Sequence, residues 1–111
     1  MPREKLQSFT ESMYYVMLSL TKPLCGIEIM QRVKDLSGGQ VIIGPGTLYT
    51  MLSKFEENGL IAPAEFNPGP ITWTKRKNYV ITVKGKQMLK QEYERLKRQI
   101  SDGEQIMEGL K

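Results

Sequence analysis

The sequence predicts a mainly α fold that carries one small β-hairpin and ends in a long helix, and three observations predict it. Apolar residues recur at steps of three and four through three successive segments of the first half. β-Branched and aromatic residues then take over on either side of a Pro/Gly-rich turn. Finally, Leu89, Tyr93, Leu96, Ile100, Gly103, Met107 and Leu110 alternate steps of four and three, the spacing of a coiled-coil seam. The boundary between a hairpin-bearing helical domain (residues 1–82) and a C-terminal helix (residues 83–111) falls where the pattern returns to helix.

In the first helix Leu6, Phe9, Met13, Val16, Met17 and Leu20 form one apolar face, and Ser8 with Glu11 has the spacing of a capping box. Pro23 closes it. A second helix runs from Gly26 to Leu36, with Ile27, Met30, Val33 and Leu36 as its apolar stripe, and stops at Ser37-Gly38-Gly39. A short extended piece, Val41-Ile42-Ile43, leads to Gly44-Pro45-Gly46, where the proline suits a helix entry.

The third helix, Thr47 to Asn58, separates cleanly on a wheel of about 100° per residue. Leu48, Met51, Leu52 and Phe55 share one arc; Thr47, Thr50, Ser53 and Lys54 lie opposite, with Tyr49 on the flank. That polar face has hydroxyls, a lysine and no carboxylate before Glu56, which suits approach to phosphates and base edges; an ordinary solvated face is the alternative. Asn58-Gly59 is a stop signal.

Leu60-Ile61 and Tyr79-Val80-Ile81-Thr82 then read as the arms of a hairpin. Its tip contains Asn67-Pro68-Gly69-Pro70, and Lys75-Arg76-Lys77 lies on the return arm. Three helices followed by a basic-tipped hairpin is the order of a winged helix-turn-helix, in which the third helix enters the major groove and the wing follows the backbone.

Charge supports that order. The net charge is only +4, yet residues 66–98 hold nine Lys and Arg against two acids, a local +7 that leaves −3 elsewhere. A solvated surface is one reading of such a segment and a phosphate-binding surface the other. The chain has no His and a single cysteine, Cys25, which excludes His-based catalysis, Cys/His dyads, zinc clusters and an internal disulfide. No cofactor or metal is expected, nor an enzyme. The polar start Met1-Pro2-Arg3-Glu4-Lys5 and the short apolar run from Met13 to Leu18 give neither a secretory signal nor a membrane span, so the expected setting is cytoplasmic. Cys25 invites a thiol-switch reading, but a buried inert thiol is the simpler one.

The last helix begins at Thr82 or Val83, and Asp102-Gly103 is expected to weaken it. At about 25 residues it would be nearly 40 Å long, more than a small domain covers. Leu89, Tyr93, Leu96, Ile100, Met107 and Leu110 are therefore expected at a homodimer interface; packing on the chain's own helices is the alternative.

These residues also resemble a known family. Thr10-Glu11-Ser12-Met13-Tyr14-Tyr15, Gly26 through Gln31, Gly44-Pro45-Gly46-Thr47-Leu48-Tyr49, Glu56-Glu57-Asn58-Gly59-Leu60-Ile61 and Lys77-Asn78-Tyr79-Val80-Ile81-Thr82-Val83-Lys84-Gly85 stand as they do in PadR-type transcriptional regulators of the short subclass. The resemblance implies a winged-helix repressor that dimerises through its C-terminal helix together with its first helix. It also implies a palindromic operator beside its own gene or genes of stress response, detoxification or efflux. By the same resemblance Thr47, Tyr49, Thr50, Ser53 and Lys54 are presented to double-stranded DNA, with Lys75, Arg76 and Lys77 on the wing. Some family members bind phenolic acids or flat cationic drugs, which makes a small aromatic effector a candidate ligand. Tyr93 is the only aromatic on the last helix, so a Trp-lined pocket there is not expected. Cys25-Gly26-Ile27 departs from the family's His-Gly-Tyr, and the stretch from Phe66 to Thr74 is long and Pro-rich for a family wing. The competing class is a winged-helix module that docks proteins.

Overall fold

A computed structural model of the chain describes residues 8–64 and 77–110. Its first helix, α1, spans Glu11–Ser19. Thr10, and not Ser8, is the N-cap, and its Oγ1 accepts the Met13 N–H at 3.2 Å. The shift follows from Phe9, whose buried ring packs edge-on against Phe55 and cannot join the helical face that begins with Glu11. Met13, Val16 and Met17 then point into the core as their spacing predicts.

Leu24–Cys25 forms a two-residue strand, β1, and runs straight into helix α2, Gly26–Leu36. This strand adds a third to the expected hairpin. The stripe expected on α2 holds only in part: Val33 is buried and Met30 packs against the core, but Ile27 and Leu36 are exposed while Gly26 and Ile29 are buried instead. Pairing of Leu24 with Tyr79 and of Cys25 with Asn78 fixes the chain just before the helix, and that anchor sets which face turns inward. Gly38 and Gly39 end α2 in left-handed conformation, with Gly39 N–H donating to Lys34 O and Gly38 N–H to Asp35 O.

Val41-Ile42-Ile43 makes no strand. Val41 and Ile43 are buried and Ile42 is exposed, so the alternation of an extended segment is present without a sheet partner. Helix α3, Pro45–Glu57, starts two residues earlier than expected, with Gly44 as N-cap and Pro45 in the first turn, where its missing N–H costs nothing. It ends as α2 does, with Gly59 left-handed, its N–H on Glu56 O and the Leu60 N–H on Phe55 O.

Strands β2 (Ile61–Ala64) and β3 (Asn78–Ile81) pair antiparallel, giving a three-stranded sheet in the order β1-β3-β2. Pro63 lies on the edge strand β2, where a missing N–H is tolerated. The expected wing tip, including Trp73, Lys75 and Arg76, lies outside the described residues.

Helix α4, Val83–Glu108, starts where the sequence places it. Thr82 Oγ1 caps it by accepting the Gly85 N–H at 3.0 Å, and the same hydroxyl donates to Gly59 O at 2.7 Å. Gly85 must be glycine, because a Cβ there would collide with the carbonyl oxygen of Leu60 and approach Ile81 Cγ1 to 2.7 Å. The helix passes through Gly103 without a break. At 26 residues it is about 39 Å long, and the molecule's largest dimension is 59 Å.

The core is one cluster built around Phe55, Met17, Leu20, Ile29, Leu48, Leu52 and Leu60. Full burial of each such side chain contributes about 1.5–3 kcal/mol. Every helix contributes to it, but α4 does so only through its first half, where Met88 and Leu89 pack against it. Among the described residues no helix is long and apolar enough to cross a membrane.

Candidate nucleic-acid interface

On α3 the division of faces is complete. Leu48, Leu52 and Phe55 are inaccessible, while Thr47, Thr50, Ser53 and Lys54 are all exposed, with Tyr49 at 52% exposure on the flank. The core therefore fixes the rotation of the helix and dictates which side chains reach outward. No carboxylate interrupts that face from Thr47 to Lys54.

Two of these side chains are less free than the sequence suggests. Thr50 Oγ1 donates to Gly46 O at 3.0 Å, so its proton stays within the helix and it presents lone pairs and a methyl group. The Tyr49 hydroxyl lies against the start of α2, so close to Gly26 that a Cβ there would stand 2.6 Å from it. Gly26 thus lets the phenol cross the first turn of α2, where backbone N–H groups are unpaired by the helix itself. Beside them Ile27 is exposed.

The cations of the wing are only partly visible. Lys77 is exposed immediately before β3, and its Nζ stands 5.2 Å from the Tyr79 ring centre, a cation–π approach. Lys75 and Arg76 lie outside the described residues. Of the nine cations in the basic segment, Lys84, Lys86, Lys90, Arg95, Lys97 and Arg98 lie on α4 and not on the hairpin. Arg95 is moreover committed to Glu92, at 2.8 Å. The charge counted along the sequence is therefore spread over two elements.

Between the N-terminal end of α1 and the exposed face of α3 runs a groove of about 720 Å³ lined by Thr10, Met13, Gly46, Thr47, Thr50, Met51 and Lys54. A second, of about 410 Å³, lies along α2 beside Arg32, whose buried Nε has no hydrogen-bond partner among the described residues. Among the described residues no group of three His, Cys, Asp or Glu side chains could hold a metal ion, and Cys25 is buried.

The residues expected along α4 divide. Leu89 packs against the domain's own core and Leu96 is half-buried, whereas Tyr93, Ile100, Met107 and Leu110 are exposed, as is Ile106, which lies off the expected seam. Two features escaped the sequence reading. One is Tyr49 over Gly26, which the glycine's place opposite a flank tyrosine signals only once the two helices are packed. The other is Glu92, one of the two acids of the basic segment in the sequence and buried here. Its phase between Leu89 and Leu96 was the available signal.

Comparison with known structures agrees with this architecture. A PadR-like transcription factor from Bacteroides fragilis is 27% identical, with 85% of this chain and 87% of that one covered and a TM-score of 0.69. A PadR family regulator from Eggerthella lenta is also 27% identical over 86% of this chain and 79% of that one, with a TM-score of 0.63. Bacillus subtilis PadR, solved in complex with operator DNA, is 28% identical over 71% of this chain and 44% of that one, at a TM-score of 0.60. No curated protein matches the sequence significantly. The profile of the PadR-like transcriptional regulators matches residues 16–91, which takes in the end of α1, both following helices, the sheet and the first part of α4. With that profile over more than half of its length, the chain belongs to the PadR-like family of transcriptional regulators, which are not enzymes.

Proposed function

We propose that this protein is a homodimeric, sequence-specific DNA-binding repressor that places α3 in the major groove of a palindromic operator and its wing along the backbone. The observation that carries the reading is the outer face of α3, free of carboxylates from Thr47 to Lys54 and held in a fixed rotation by three inaccessible apolar residues beneath it. Tyr49 and Thr47 serve phosphates; Thr50, Ser53 and Lys54 meet base edges, with Thr50 offering an acceptor and a methyl group. Lys75, Arg76 and Lys77 neutralise backbone phosphates.

Dimerisation is supported by Tyr93, Ile100 and Met107 on α4 and by Leu110 just beyond its end, side chains that the chain's own described residues leave exposed. Family membership supports control of a stress, detoxification or efflux gene, acting in the cytoplasm. For release by a small aromatic ligand the support is the methionine-floored groove beside α3: a molecule seated there would overlap Thr47, Thr50 and Lys54. Release further requires that the ligand favour the DNA-free form.

The test is a gel shift on the protein's own upstream DNA, titrated against salt and random competitor. Selective, salt-sensitive binding by a dimer is the expected result. Replacing Lys75, Arg76 and Lys77 together with alanine should weaken binding to every sequence and flatten the salt slope by about one unit for each phosphate that is no longer neutralised. Binding no better than to competitor, followed by failure to select any sequence from a random library, would favour the protein-docking reading.

A further inference from the structure

Glu92 is 4% exposed, in the middle of the face that α4 turns to the domain. A carboxylate in such a place is costly unless each charge and lone pair is answered. Here they are. Glu92 Oε2 accepts the backbone N–H of Phe9 at 3.1 Å, a bond across 83 residues of sequence. Arg95, one turn on, grips the carboxylate with two nitrogens, Nε to Oε1 at 2.8 Å and Nη2 to Oε2 at 2.9 Å.

Phe9 passes the constraint on. Its ring meets Phe55 edge-on, with ring centres 5.8 Å apart and planes at 72°. Phe55 is the last buried residue of α3, on the side opposite Ser53 and Lys54. A continuous path of one directional bond and one ring contact therefore joins α4 to the back of the DNA-reading helix. Leucine or methionine at this position would fill space without desolvating a charge, but apolar contacts tolerate sliding. A hydrogen bond of defined length and angle does not.

We propose that Glu92 is a positioning residue, which fixes the angle between α4 and α3 through Phe9 and thereby sets the spacing between the two half-sites that the dimer accepts. This rests on the dimeric DNA-binding reading above. The leverage is large: a tilt of about 10° moves the end of a helix of about 39 Å by roughly 7 Å, about two base-pair steps. Loosening this one joint would blur operator spacing without touching any residue that meets DNA.

The experiment uses the full chain, on palindromes whose half-sites are moved together or apart in single base-pair steps, and on an isolated half-site. Wild-type protein is expected to prefer one spacing by on the order of tenfold over displacements of about two base pairs. Glu92→Gln keeps one acceptor oxygen and no charge, and turns the other oxygen into an NH2 donor, so the two-pronged grip by Arg95 is lost and the joint with Phe9 is loosened. It should reduce that preference at least about threefold while isolated half-site affinity stays the same. Glu92→Leu should flatten it further, and where that variant does not fold, Glu92→Gln carries the test. An unchanged spacing preference in Glu92→Gln, or a loss of half-site affinity with the preference retained, would overturn the proposal and leave Glu92 a purely structural residue. Wild-type protein that selects no sequence would overturn the dimeric DNA-binding reading itself, and this proposal with it.

Discussion

The two halves of α4 share one apolar period and live in different surroundings. From Gly85 to Leu96 the helix lies on its own domain: Gly85 is pressed against Leu60 and Ile81, Met88 and Leu89 join the core, and Glu92 is bonded to Phe9. From Lys97 onward nearly every side chain is exposed, including Ile100 at 67% and Met107 at 66%. A stripe read along the sequence does not record which stretch of it is consumed within the chain. The difference teaches that one helix does two jobs in series, first as part of a fold and then as a surface that needs a cover.

The largest effect should come from breaking the proximal half at its tightest point. Gly85→Ala sets a methyl group against a backbone carbonyl, which no rotamer change relieves, so a loss of about 3 kcal/mol or more is expected in denaturant unfolding. A Gly85→Ala variant as stable as the parent would mean that α4 has room to lift from β2.

The distal half should respond in association instead. Ile100→Asp removes burial of about 1.5–3 kcal/mol per chain, twice over in a dimer, from the proposed interface, raising the dimer dissociation constant by about a hundredfold or more in sedimentation, with the monomer's helix content kept. Leu89→Ala, by contrast, should lower unfolding stability by about 2 kcal/mol, at all protein concentrations. A concentration-dependent effect at Leu89 would move it from the core to the interface.

Acid and alkali sharpen the comparison, because both responsive groups belong to the proximal joint. The hydrogen bonds from Arg95, aided by the Phe9 N–H and the Arg95 charge, hold the Glu92 carboxyl below its ordinary pKa against the opposing effect of burial. A depressed carboxyl stabilises the fold above its unfolded pKa, and the contribution is lost as pH falls through the folded value. Tyr14 is pushed up, by burial and then by Tyr93, Tyr15 and Glu92. Its contribution is full below the ordinary tyrosine range and is lost as pH rises through the raised value. Unfolding followed from acid to alkali should show both flanks, and Glu92→Gln should remove much of the acid one while shrinking the alkaline flank only slightly, since Glu92 is the smallest of its causes.

Particular residues show what was legible. The α3 face, the Gly59 stop, and the start of α4 at Val83 follow from local chemistry, so the sequence discloses them. The phase of α2 does not: Ile27 and Leu36 fit the period yet lie outside, because the two residues of β1, too few for any alternation, anchor the helix from a distant strand. Glu92 fails for the same reason, since its partner Phe9 is 83 residues away. Of the candidate site, the polar face of α3 is legible from a wheel, but Thr50's bond to Gly46 and Tyr49's position over Gly26 depend on packing.

A smaller loss is expected at the start of α4. Thr82→Ala removes the cap on Gly85 N–H and the bond to Gly59 O together, for about 1–2 kcal/mol in unfolding. Thr82→Ser should recover most of it, since the hydroxyl and not the methyl makes both bonds.

The smallest effect is the most discriminating. Gly103 sits inside α4 with nothing among the described residues within 4 Å of an added Cβ. In an isolated helix, Gly103→Ala should therefore stabilise by up to about 1 kcal/mol through backbone entropy alone, at any protein concentration. Gly103 also occupies a seam position between Ile100 and Met107. If two α4 helices approach closely there, the new methyl group meets the partner, and the gain must shrink or reverse as concentration rises into the dimeric range. The midpoint of thermal unfolding measured across concentrations separates the two cases. A gain that does not vary with concentration would place the partner's contact elsewhere on the distal half, leaving Gly103 on its open side.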